Sequence, residues 1–217
     1  MKFINFINES NEELENIIKK YVKKEFFLAL KKSGGLLYRG SPKTINDYEI
    51  ITTRKDRIPK DTPQKIHDKL VNAFKKKFGW GVRDDGVFTT SNIYYTHYEG
   101  YRTYIFFPIG SYKYVWSLNI EDLYNYMGDA SRRLRLGNYN KYYLSIDDRL
   151  NDLSDKEIDI LVKDAILSYK RTGLEKAIES ENEVIFKCDK YLLVNIHGKK
   201  IRKNIDTINN LIINKKS

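Results

Sequence analysis

Cysteine is almost missing from this chain: Cys188 is the only one among 217 residues, so no disulfide can form within it and a reducing cytoplasm is the expected setting. Histidine is nearly as scarce. His67, His97 and His197 are scattered without metal-ligand spacing, and no second cysteine can join them, so no zinc site is expected. No apolar run reaches the roughly 18 residues of a membrane-spanning helix. The start, Met1 to Glu9, turns acidic after a short apolar patch. It lacks the longer apolar stretch and small-residue cleavage site of a secretory signal. There is also no internal repeat and no βαβ series with glycine-rich turns, which argues against a doubly wound parallel sheet.

What is present is enough for one folded domain, or one domain with a helical extension. Hydrophobic residues make up 41% and aromatics 13%, so a substantial core can form and a folded chain is expected rather than wholesale disorder. The formal charge of +10, from 39 basic and 29 acidic residues, invites a nucleic-acid partner. Lysines spread over helical faces are ordinarily just solvated, and the abundance of Asn, Ile, Lys and Tyr has the look of an AT-rich genome, which raises lysine without any function attached.

Periodicity divides the chain into an N-terminal helical segment over 1–35, a central domain over 36–198 and a basic C-terminal helix or tail over 199–217. Residues 10–32 read as one helix, opened by a Ser10/Glu13 capping box and ended by Ser33-Gly34-Gly35. Leu36-Leu37-Tyr38-Arg39-Gly40 reads as a short strand, and 41–61 as mostly loop. Thr62 is the expected cap of a helix with Pro63 in its first position, and Gly79 its stop. Gly86 to Ser91 is a strand running into a turn. Segments 101–108 and 112–118 form an expected hairpin across Ile109-Gly110-Ser111, and 183–187 with 191–195 a second one across Cys188-Asp189-Lys190. A short helix is expected near 120–126, another after the Ser154/Glu157 capping box, and a last one striped by Ile201, Ile205, Ile208 and Ile212. The order gives α+β.

Three segments each end a strand with residues suited to one task. Arg39, beside Gly40, can offer its planar fork to a diphosphate where bare backbone permits close approach. Thr89-Thr90-Ser91 puts hydroxyls on alternate faces, Thr89 and Ser91 on one and Thr90 on the other. Glu179, Glu181 and Glu183 alternate just before an apolar strand, an arrangement that costs energy unless they face water or a ligand. Adjacent acidic pairs, Asp84-Asp85 and Glu121-Asp122, make a nuclease a weaker reading, since neighbours on a strand point to opposite faces.

In this order and at these separations, the segments resemble the arginine–serine–glutamate class of mono-ADP-ribosyltransferases over about residues 36–196. Arg39 matches the strand-end arginine, Thr89-Thr90-Ser91 the Ser-Thr-Ser strand with threonine first, and Glu181-Asn182-Glu183 the Glu-x-Glu pair. Gly79, Arg83, Gly86, Phe88, Phe107-Pro108-Ile109-Gly110 and Trp116-Ser117 are also similar to transferase-like proteins of large bacteriophages. The resemblance implies two packed, mainly antiparallel sheets with flanking helices. It also implies cleavage of the nicotinamide–ribose bond of NAD, the substrate, without a metal, and transfer of ADP-ribose to a macromolecular acceptor such as a host-cell protein arginine. Glu183 would face the developing ribose charge, Thr89 would orient Glu183 or touch the ribose, Glu181 would orient or deprotonate the acceptor, and Arg39 would hold the phosphates. Gly40, Thr90 and Ser91 would line the dinucleotide, and Tyr94, Tyr95 or Tyr98 would stack on nicotinamide. The competing expectation is a basic, aromatic-rich protein of the same fold that lacks the chemistry and binds nucleic acid or serves a phage particle.

Overall fold

The computed structural model describes residues 2–55, 59, 62–96, 100–134, 145–197 and 201–214. Among these, eight helices and six strands build an α+β fold around an antiparallel sheet. Two long strands form its spine, β4 (Arg102–Ser117) and β6 (Val184–Asn195), paired antiparallel from Tyr104↔Asn195 to Trp116↔Val184. Four short strands flank them. β1 (Tyr38–Ser41) and β5 (Tyr169–Lys170) pair with β4, while β2 (Tyr48–Thr52) and β3 (Val87–Thr89) pair with β6. A bridge between Tyr38 and Thr90 then joins β1 to the end of β3, so the pairings β1–β4–β6–β3 close into a ring.

The two expected hairpins are therefore corrected to one pair of long strands. The residues read as turns, Ile109-Gly110-Ser111 and Cys188-Asp189-Lys190, lie opposite each other. Ile109 pairs with Lys190 and Tyr112 with Cys188, leaving Gly110 and Ser111 facing Asp189 alone. That is a β-bulge, and Gly110 supplies its positive φ of 71°. Glycine and small polar residues mark bulge and turn alike, and only the partner strand tells them apart.

Helix boundaries shift for similar reasons. The first helix, α1 (Lys2–Tyr21), starts well before Ser10, so the Ser10/Glu13 pattern lies inside the helix and does not open it. A break at extended Lys23 separates it from α2 (Lys24–Ser33), which Gly34 closes in the left-handed conformation as read. Pro63 is the N-cap of α3 (Gln64–Phe78) instead of its first residue, and Gly79 ends that helix at φ 78°. The expected helix near 120–126 is displaced to α4 (Leu123–Leu134); α5 (Ile146–Asn151) was not foreseen. The Ser154/Glu157 box does cap α6 (Asp155–Ser168), with both reciprocal bonds present. After α7 (Leu174–Glu179), the chain ends in α8 (Ile201–Asn214).

Two apolar cores lie on opposite faces of the spine. The first joins Leu14 and Ile18 of α1, Phe26 and Phe27 of α2, Val184 and Phe186 of β6 and Ile208 of α8. The second packs Phe74 of α3, Met127 of α4 and Ala165 of α6 on Val115 and Ile185. The helices before residue 36 and after residue 198 thus share a core with the strands of the central domain.

Candidate functional site

β3 pairs with β6 along one edge, and its other edge faces β1. β1 meets that edge. Tyr38 N donates to Thr90 O at 2.7 Å and Thr90 N to Tyr38 O at 3.1 Å. The next residue, Arg39, is half-buried and sends Nη1 to the Phe88 carbonyl at 2.9 Å. Its guanidinium lies 5.5 Å from the Tyr191 ring centroid, a cation–π arrangement. Arg39 is thereby fastened directly beside the Thr89-Thr90-Ser91 run.

The hydroxyls of that run do not alternate between faces. The strand ends at Thr89, the chain then turns, and all three donate toward residues 178–184. Thr89 Oγ1 reaches Val184 O at 2.8 Å, Thr90 Oγ1 reaches Glu181 O at 2.7 Å, and Ser91 Oγ reaches Ile178 O. Thr89 therefore holds the backbone just after Glu183 and is itself only 3% exposed. Asn92 completes the set, its Nδ2 donating to Glu181 Oε2 at 3.0 Å.

The segment so gripped carries the candidate glutamates. Among the described residues Glu181 is the one non-glycine with positive φ, at 61°. A strained backbone of this kind costs on the order of 1 kcal/mol and persists where neighbours over-determine it. Here Thr90 and Asn92 hold one side, and Asn182 Nδ2 holds the other through Ser117 O at 2.9 Å and Leu118 O at 3.0 Å. Glu183 N donates to Glu121 O at 2.8 Å. The turn presents the two carboxylates differently, with Glu181 and Glu179 exposed and Glu183 half-buried with Oε1 out of solvent.

Gly40 is needed for a closer reason than ligand access. A Cβ built there would lie 2.8 Å from the carbonyl of Thr96, in the 3-10 turn Ile93–Thr96 that packs against β1. That turn carries Tyr94, 78% exposed, and Tyr95, 48% exposed, the described aromatics free to meet a planar group. Tyr98 lies outside the described residues.

Sequence reasoning missed a second set of polar groups below Glu183, on the face of the second core. Tyr169, on β5, is buried, and its hydroxyl has no hydrogen-bond partner among the described residues. Burial, then the negative charge of Glu183, pushes that phenol well above its ordinary range; the positive charge of Arg83 opposes this and Asp122 adds to it. Arg83 is also buried, donating Nη2 to Thr62 Oγ1 at 3.3 Å and lying 5.5 Å from the Phe88 ring. Nothing local marks an arginine and a tyrosine 86 positions later as neighbours; the tertiary fold alone brings them together.

The acidic pair Asp84-Asp85 is engaged by side chains of the chain itself. Asp84 meets His67 Nε2 at 3.1 Å and Lys75 at 3.5 Å, and Asp85 meets Lys187 at 2.7 Å. Among the described residues there is no group of three or more His, Cys, Asp or Glu able to hold a metal ion, and no helix is long and apolar enough to cross a membrane. No family model, curated protein or solved structure matches this chain.

Proposed function

We propose that this chain is a mono-ADP-ribosyltransferase of the arginine–serine–glutamate class, cleaving the nicotinamide–ribose bond of NAD and passing ADP-ribose to a macromolecular acceptor. One observation carries the reading. Three segments far apart in sequence, around Arg39, Thr89-Thr90-Ser91 and Glu181-Asn182-Glu183, are tied into one site by the Arg39–Phe88, Thr89–Val184 and Thr90–Glu181 bonds. In this reading the ring of pairings β1–β4–β6–β3 is the two-sheet core of the transferase fold.

The roles follow from position. Breaking the glycosidic bond builds positive charge on the ribose, and a half-buried carboxylate loses less of its field to water than an exposed one. Glu183 has that placement. Glu181 is exposed on a rigid turn, where an incoming acceptor nucleophile can reach it and give up a proton. Arg39 Nη1 serves Phe88, and the remainder of its five-donor fork is assigned to the diphosphate. Thr89, Thr90 and Ser91 act through the backbone they hold, and Tyr94 offers an exposed ring to nicotinamide. The basic surface favours acidic acceptors, a host protein or nucleic acid among them.

The test separates the two glutamates. Glu183→Gln keeps shape and removes charge, so nicotinamide release and acceptor labelling should both fall by about 100-fold or more. Glu181→Gln should cut labelling by about 10²–10⁴-fold, as for a lost general base, and leave slow hydrolysis of the dinucleotide largely intact. Full activity in Glu183→Gln, or no nicotinamide release by the wild type in a lysate supplying acceptors, would overturn the proposal.

A further inference from the structure

Side chains alternate along β6, with Val184 and Phe186 in the first core and Ile185 in the second. One residue earlier, Glu183 falls on the side of Ile185, the side where Tyr169 is also packed. Register adds the other coordinate. Trp116 pairs with Val184 and Ser117 with Tyr169, so Glu183, Ser117 and Tyr169 stand in one row across the sheet. Neighbouring strands lie about 4.8 Å apart, which puts the two outer backbones about 10 Å from each other. A glutamate and a tyrosine side chain together span that gap. The residue between them is a serine, buried and with its hydroxyl turned to Ser168 at 2.9 Å, too short to keep them apart.

Tyr169 is fixed on its other sides. Its ring meets Phe74 edge-on at 5.0 Å, and its carbonyl accepts from Lys77 Nζ at 2.8 Å. The charged groups facing the phenol are Glu183 from the head of β6, Arg83 from the loop after α3 and Asp122 from the loop before α4. A buried hydroxyl with no partner is costly, and native structures rarely keep one without a use. Of the acceptors facing it, Glu183 is the one that shares its row.

We propose that Tyr169 is a positioning residue for Glu183, its phenolic hydroxyl, unpartnered among the described residues, turning to donate to the Glu183 carboxylate and hold that group ionised and oriented. The catalytic consequence rests on the transferase reading; the pairing itself does not. A donor to the ionised form lowers a carboxyl's pKa, so losing it moves the pKa up.

The pairing is read by carbon NMR on full-length protein labelled at the glutamate side-chain carboxyl, the Glu183 resonance being the one absent from Glu183→Gln. In Tyr169→Phe the Glu183 titration should move up by about one pH unit or more. Melting at pH 7 should fall by roughly 3 °C or more, because the donor to a half-buried carboxylate is lost. The unaltered chain gives a second readout. Labelled at the tyrosine ring carbon bearing oxygen, Tyr169 should respond as Glu183 titrates, and that response should vanish in Glu183→Gln. With NAD, Tyr169→Phe should lower kcat for nicotinamide release about tenfold with KM unmoved, its acid limb displaced upward. A Glu183 titration identical with and without the hydroxyl, or a Tyr169 signal flat through it, overturns the pairing even if the wild type is active. Coupled titrations in a protein that releases no nicotinamide would sustain the pairing and sink the transferase reading instead.

Discussion

Arg39→Ala should separate bracing from ligand binding, because the structure gives this side chain a measurable load before any ligand arrives. The substitution removes the 2.9 Å bond from Nη1 to the Phe88 carbonyl and the cation 5.5 Å from the Tyr191 ring. A hydrogen bond from a charged donor contributes about 1.5–3 kcal/mol, and the lower end applies to a half-buried group that water partly screens. The cation–π contact adds about 0.5 kcal/mol at such a site. The sum is about 2 kcal/mol, and in a chain of this size each kcal/mol shifts Tm by roughly 2–4 °C, so melting should fall by roughly 4–8 °C. Arg39→Lys keeps the charge without the planar fork and should recover part of the loss. Calorimetric titration with NAD then isolates the second role: Arg39→Ala should bind about tenfold or more weakly, measured well below its lowered Tm. An unchanged Tm would refute the bracing role. Equal NAD affinity in both proteins, with the expected fall in Tm, would leave Arg39 a brace and nothing more.

Two further outcomes concern ionisation. Burial pushes the Cys188 thiol up to about 11, with the Thr53 hydroxyl beside its sulfur pulling weakly the other way. Alkylation of the native protein at pH 8 should therefore run at least about 100-fold slower than in urea, and a native rate within tenfold of the unfolded one would refute this. His67 is held below its usual range, first by burial and next, against the opposing Asp84 bond, by the charge of Arg83. The unfolded chain then binds the proton more readily, so stability is full above about pH 6.5 and declines as pH falls from there toward the lowered native value. Urea midpoints measured between pH 7.5 and 5.5 should show that decline, and His67→Gln should flatten it; an equal slope in both proteins would sink the assignment.

Some local features of the sequence, though not the Ser10/Glu13 box or the start of α3, were read correctly because their physics is local. Gly34 and Gly79 end helices because only a residue without Cβ takes positive φ cheaply, and Ser154 with Glu157 caps α6 through bonds spanning three residues. The α+β class and the three segments of the candidate site were legible in the same way, from strand-ending polar residues at recognisable separations. What the chain could not reveal by itself is everything fixed by a partner strand. Gly110-Ser111 and Asp189 have turn chemistry, and only their mutual opposition makes them a bulge in two long strands. Thr89, Thr90 and Ser91 carry the alternation of a strand, yet the chain turns at Thr90 and sends all three hydroxyls to one segment some 90 residues on. Tyr169 and Arg83 look like ordinary core and surface residues until register places the tyrosine in the row of Glu183. Propensity, capping and glycine conformation act over three or four residues and can be read in order. Register, burial and the field around a carboxylate depend on which distant strand arrives beside it, and those were decided by the tertiary structure alone.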